Sequence, residues 1–141
     1  MAKVNVYLSF NGNCEEAFNF YKSVFGGEFN GVYRFKDMPP SDFVVPEEFK
    51  NHIMHMGLPI SGETILMGSD CIELSPEQKW LQGTNFSIAV GVTSDEEAHR
   101  IFDGLSEGGN VSMPLQTTFW SPLFGVVKDR FGIEWMIDME R

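Results

Sequence analysis

The stretch SDEEAHRIFDGLSEGG at residues 94–109 largely rewrites NCEEAFNFYKSVFGG at residues 13–27, and this internal repeat constrains the fold more than any other feature. Matching Glu15, Glu16 and Ala17 to Glu96, Glu97 and Ala98 brings Ala17, Phe20, Tyr21 and Val24 onto Ala98, Ile101, Phe102 and Leu105. Both copies then carry an i, i+3, i+4, i+7 apolar stripe, the mark of an amphipathic helix that buries one face. Asn13 with Glu16, and Ser94 with Glu97, stand at the spacing of a capping box, in which the cap side chain accepts from the helix start and the carboxylate reaches back. Gly26-Gly27 and Gly108-Gly109 supply the backbone freedom that ends each helix.

A strand signal precedes each helix. Val4, Val6, Leu8 and Phe10 alternate with Asn5, Tyr7 and Ser9, and Phe86, Ile88, Val90 and Val92 alternate with Asn85, Ser87, Ala89 and Gly91. Three strand-like runs follow each helix: GVYRF, NHIMHMGLPI and ETILMGS, then SMPLQTTF, LFGVVKD and IEWMIDM, with Gly62 and Gly132 at equivalent hairpin turns. The expected fold is α+β, one domain of two β-α-β-β-β modules, about 1–70 and 84–141, joined by a linker. Each module covers one sheet face with its helix, and pairing the modules is expected to curl a mixed sheet around a central pocket. Residues 37–49, DMPPSDFVVPEEF, carry three prolines and little periodicity, so a loop that covers something is expected there.

Charge narrows the partners. The 141 residues include 20 acidic and 10 basic side chains, a formal net charge of −10, and that field repels nucleic-acid backbones and anionic lipid surfaces. No apolar run approaches the roughly 20 residues that span a bilayer, and MAKVNVYLSF lacks the layout of a signal peptide, so a cytoplasmic protein is expected. Cys14 and Cys71 lack the spacing of a disulfide framework, a zinc site or a redox pair. Cys14 falls at a helix start, where the dipole can activate a thiol, but a plain buried thiol is the simpler reading.

Three segments carry a family resemblance: YLSFNGNCEEAFNFYKSVFGGE at 7–28, HIMHMGLPISGETILMGSD at 52–70 and WSPLFGVVKDRFGIEWMI at 120–137. On them the chain resembles the vicinal oxygen chelate superfamily of glyoxalases, bleomycin-resistance proteins and extradiol dioxygenases, and within it the PhnB-like branch. The resemblance implies the paired-module fold, a small-molecule ligand and a homodimer. In metal-dependent relatives, His or Glu side chains on the first and fourth strands of each module hold one divalent ion. Carried over, the first-strand places fall at Asn5 or Tyr7 and at Ser87 or Asn85, and the fourth-strand places near Leu66 and Met136, with Glu134 two residues away on the same face. One carboxylate and no histidine do not make the three or four ligands of such a site. No cofactor is therefore expected, with a divalent metal as the alternative.

Other residues remain as candidates for chemistry. In a hairpin register where paired positions sum to 125, His55 faces Asp70, and such a pair can orient or deprotonate a substrate or be a structural hydrogen bond. His52 lies an odd number of residues from His55 and faces the other way on a regular strand, and His99 sits on the outer side of its helix. Phe119, Trp120, Phe124 and Trp135, with Tyr7, Tyr33 and Arg34, can line a cavity for a flat or apolar ligand or belong to the core. Lys128 and Asp129 suit a hairpin turn. Nucleophile-elbow, phosphate-loop, H-E-x-x-H and C-x-x-C patterns are absent from the sequence. The expected function is metal-free binding of a small organic molecule. The alternatives are a metal-dependent lyase, isomerase or dioxygenase using His55, Asp70 and Glu134, and a scaffold protein with an exposed apolar patch.

Overall fold

The computed structural model describes residues 2–140, and the chain divides between Leu81 and Gln82 into two compact units. The first unit runs β1 (Val6–Phe10), α1 (Cys14–Phe25), β2 (Val32–Arg34), β3 (Ile53–Pro59) and β4 (Ile65–Asp70). The second runs β5 (Ile88–Val92), α2 (Asp95–Ser106), β6 (Asn110–Gln116), β7 (Phe124–Lys128) and β8 (Glu134–Met139). Both have the expected β-α-β-β-β order and the same topology. Their four-stranded mixed sheets are ordered β1-β4-β3-β2 and β5-β8-β7-β6, the first two strands of each list parallel and the other neighbours antiparallel.

The helical stripes are buried as their spacing requires: Ala17, Phe20, Tyr21 and Val24 in α1, and Ala98, Ile101, Phe102 and Leu105 in α2. Under α1 lie Leu8, Phe10, Met56, Leu58 and Leu66, and in the second unit Val92, Val127, Trp135 and Ile137 are buried. Burial of this kind contributes roughly 1.5–3 kcal/mol per large apolar side chain and is what holds each helix to its sheet. Close helix–sheet approach needs a glycine in both units. A Cβ on Gly68 would stand 2.6 Å from Phe18 Cε1, and one on Gly125 would stand 2.8 Å from Phe102 Cε2. The outermost strand residues of the sequence pattern, Val4 and Phe86, fall outside the strands and are exposed.

The two helix starts differ. Ser94 accepts from the Glu97 amide at 3.1 Å and Glu97 reaches back to the Thr93 amide at 3.2 Å, close to the expected capping box. Asn13 makes no side-chain cap, contrary to expectation. Its place is taken by Asp70 from the end of β4, whose Oδ1 accepts from the amides of Gly12 (3.0 Å) and Cys14 (2.9 Å) while Oδ2 accepts from Ile53 (2.9 Å). A carboxylate offers two acceptor oxygens with full charge where an asparagine offers one neutral oxygen, so the distant residue wins the helix start.

Cys14 is fully buried, and that burial, reinforced by the carboxylates of Asp70 and then Glu15, pushes its thiol far above the usual range. Cys71 is half-buried, its Sγ 3.6 Å from the Gln78 carbonyl. A chromogenic disulfide reagent should therefore label one of the two thiols in folded protein, on the peptide containing Cys71, and both after unfolding. Rapid labelling of Cys14 in the folded chain would contradict this placement.

Candidate functional site

In the first unit the face of the sheet away from α1 is set by strand alternation. Leu8, Phe10, Leu66 and Asp70 turn toward the helix, so Tyr7, Met67 and Ser69 turn the other way. Tyr33 pairs directly with His55, which places both on that face from β2 and β3. Tyr7 reaches across β4: its ring lies 5.7 Å from the His55 ring at an interplanar angle of 35°, and its hydroxyl stands 3.4 Å from His55 Nδ1. That separation is at the outer limit of a hydrogen bond, and either group can be the donor. Tyr7 and Tyr33 are 50% and 51% exposed, so about half of each ring is available to another molecule. The result is an aromatic platform with one imidazole in it.

Asp70 does not join this platform. The β3–β4 hairpin pairs Met56 with Gly68 and Leu58 with Leu66, so paired positions sum to 124 and not 125. The one-residue difference turns Asp70 to the helix side, away from His55. There it is buried and engaged by three backbone amides, so the expected His55–Asp70 pair is corrected to a structural Asp70 and a separate His55. Leu66, where the family pattern carried a ligand place, is also on the helix side, and Asn5 Oδ1 accepts from the Ile65 amide at 3.1 Å.

In the second unit the face away from α2 carries Glu134, Met136, Phe124, Val126 and Lys128, because Trp135, Ile137 and Val127 are the buried alternates. Ser87 Oγ donates a short hydrogen bond to Glu134 Oε1. Lys128 is the cross-strand partner of Glu134, and both line a small hollow of about 30 Å³ with Thr84 and Phe86. That is room for about one water molecule. Above Phe124 the segment 117–122 presents Trp120, edge-on to Phe124 at 5.3 Å, and Phe119, edge-on to Trp120 at 4.8 Å. Phe119 is 92% exposed. The segment keeps its shape through Ser121, a buried hydroxyl that donates to the Leu123 carbonyl at 3.0 Å, while Thr118 Oγ1 accepts from the Ser121 amide at 3.1 Å. The sequence gives Ser121 no motif, and only its position after two exposed aromatics hints at the role.

Trp135 is not a ligand-facing residue. It is 2% exposed, and its indole N–H donates to Asp129 Oδ2 at 2.9 Å. Asp129 Oδ1 also accepts from the amides of Phe131 and Ile133, so this carboxylate fixes the β7–β8 hairpin.

The donor set does not fit a divalent ion of the kind the metal-dependent relatives hold. Glu134 is hydrogen-bonded to Ser87, Asp70 is engaged by backbone amides, and the first-strand places offer Asn5 or Tyr7 and Ser87 or Asn85. Among the described residues no three His, Cys, Asp or Glu side chains are grouped to hold a metal ion. No helix among them is long and apolar enough to cross a membrane.

Comparison with known proteins gives a consistent picture. The sequence model of the Glyoxalase/Bleomycin resistance protein/Dioxygenase superfamily matches residues 3–137. Protein YjdN of Escherichia coli (strain K12) is 34% identical over 143 residues, covering 94% of this chain and 92% of that protein. The crystal structure of protein PA1353 from Pseudomonas aeruginosa superposes with a TM-score of 0.85 at 40% identity, covering 99% of this chain and 98% of that one. The PhnB protein from Bacillus cereus superposes with a TM-score of 0.74 at 25% identity, covering 99% and 100%.

Replacing the two tryptophans in turn separates core from surface. Trp135→Phe deprives the buried Asp129 of a donor and should destabilise the fold by about 1–3 kcal/mol, lowering the urea midpoint at unchanged slope. Trp120→Phe should change it by no more than about 0.5 kcal/mol. Equal effects from both would contradict the assignment.

Proposed function

The chain belongs to the Glyoxalase/Bleomycin resistance protein/Dioxygenase superfamily, and from that premise we propose that it binds a small, flat organic molecule without a metal, on the sheet face bearing Tyr7, Tyr33 and His55. The observation that carries this reading is the half-exposed pair of tyrosines flanking an imidazole within hydrogen-bond reach of Tyr7. Aromatic faces of this kind favour offset or edge-on contact with a planar partner, and the imidazole and the two phenols supply donors and acceptors that fix its orientation. The described strand residues on this face, among them Tyr7, Ser9, Tyr33, His55, Met67 and Ser69, include no ammonium, guanidinium or carboxylate, which favours a neutral ligand held by stacking and hydrogen bonds. In the second unit Trp120 and Phe124 form an aromatic surface of the same kind, and they are that unit's own candidate contacts for such a molecule. Glu134, held by Ser87, is kept as a polar group of that second face. The working assembly in this reading is a homodimer, as the family resemblance implies.

His55 and Glu134 are the groups that would handle a proton if a reaction occurs, His55 by exchanging one between its imidazole and a ligand hydroxyl. The binding step is testable without knowing the natural ligand. Quinoline and 1-naphthol offer an acceptor and a donor on the same flat frame, and both should bind with unchanged affinity after treatment with EDTA. Tyr33→Ala and Tyr7→Ala should each weaken them by about two- to tenfold, the range corresponding to one aromatic contact. Binding that disappears with EDTA, or that ignores both tyrosines, would contradict the proposal.

A further inference from the structure

The segment that follows β2 holds a second hollow, built from different residues. The Lys36 amide donates to the Lys50 carbonyl at 3.0 Å and the Phe35 amide to the His52 carbonyl at 3.1 Å, so the chain leaves and returns at one point. Residues 37–49 between these ties form a closed surface loop of the Ω type. Its two ends are single 3-10 turns, Phe35–Asp37 and Glu47–Phe49, the first held by the Arg34 amide donating to Asp37 Oδ2 at 2.8 Å. Pro39, Pro40 and Pro46 restrict its backbone, and Ser41 Oγ accepts from the Phe43 amide at 3.2 Å. Arg34 clamps the base, donating to both carboxylate oxygens of Glu15 (3.1 and 2.6 Å) and to the Asn51 carbonyl (2.9 Å). That guanidinium holds the Glu15 carboxyl below its ordinary range.

The loop borders an open surface hollow of about 260 Å³ whose apolar wall includes Phe35, Met38, Pro40 and Phe43, with Lys36 and Lys50 as its charged groups. Phe43 and Val44 are 44% and 81% exposed, an apolar surface that gains by being covered. Two of the chain's ten basic residues line this hollow, and none of the loop's carboxylates, Asp37, Asp42, Glu47 and Glu48, does. Lys50 is paired with Glu47 at 2.8 Å, whereas Lys36 makes no ion pair among the described residues. The net charge of −10 acts against an anion at long range. At about 0.1 M salt charges more than about 10 Å away are largely screened, so the contest is local: Glu47 is taken up by Lys50, and of the loop's charged side chains the lysines, not the carboxylates, line the hollow.

We propose that this loop is a binding site for a small aromatic carboxylate, its ring against Phe35, Met38 and Phe43 and its anionic group on the Lys36 ammonium. The site uses none of the residues of the sheet-face reading and stands independently of it. The volume is slightly below the range typical of drug-sized ligands, which suits a single ring with a short acidic arm.

The test is an amide-detected NMR titration of the full chain with 4-phenylbutyrate and, as neutral isostere, 4-phenylbutanol. The acid should shift amides of residues 35–50 and bind about tenfold more tightly than the alcohol. Lys36→Met keeps the apolar stem and should reduce the acid to the affinity of the alcohol, and Phe43→Ala should weaken both. Equal affinity of acid and alcohol for the unmodified chain, shifts confined to the neighbourhood of Tyr7, Tyr33 and His55, or no shifts at millimolar ligand would each overturn the proposal. The acid–alcohol comparison on the unmodified protein decides the matter even if a variant misfolds.

Discussion

The geometry of the first unit depends on one buried carboxylate. Asp70 ends β4, and its two oxygens gather the amides of Gly12, Cys14 and Ile53, so the end of one strand, the turn into α1 and the start of β3 are pinned together. A buried charge of this kind is tolerable only because every donor it needs is at hand, and removing it would leave three amides unsatisfied at about 1–3 kcal/mol each. The second unit reaches the same topology by other means. Its helix is capped locally by Ser94, and its buried carboxylate, Asp129, ties a hairpin and a tryptophan. What is repeated is the order of elements and the apolar stripe, while the polar ties are private to each copy.

That difference propagates to the exposed sheet faces. With Asp70 turned inward, the first face keeps two phenols and an imidazole, groups suited to stacking and oriented hydrogen bonds. The second keeps a carboxylate already satisfied by a hydroxyl, a lysine across from it, and an aromatic arch on a serine-braced loop. Superfamily membership alone does not choose a reaction, because function resides in the groups a fold presents. The proposal of a metal-free organic ligand rests on those groups and not on the family.

Much of this was legible in the sequence. Both helices, their buried stripes, the order of elements along the chain and the Ser94 cap follow from periodicity and spacing, which depend on local geometry. The errors came from long-range pairing. A hairpin register one residue from the assumed one moved Asp70 from facing His55 to capping α1, and no local signal distinguishes sums of 124 and 125. The type of Trp135 suits a pocket wall and a core equally, and strand alternation with Ile137 and a partner six residues upstream commit it to the core. The loop at 37–49 was recognisable by its prolines, yet its hollow depends on which side chains turn inward, and that is decided by packing.

The central claim, binding of an organic molecule without a metal, is tested most directly by native mass spectrometry of freshly purified protein. The account predicts a dimer mass with no stoichiometric divalent ion and a further mass increment when quinoline is added. One tightly retained divalent ion per chain would contradict it.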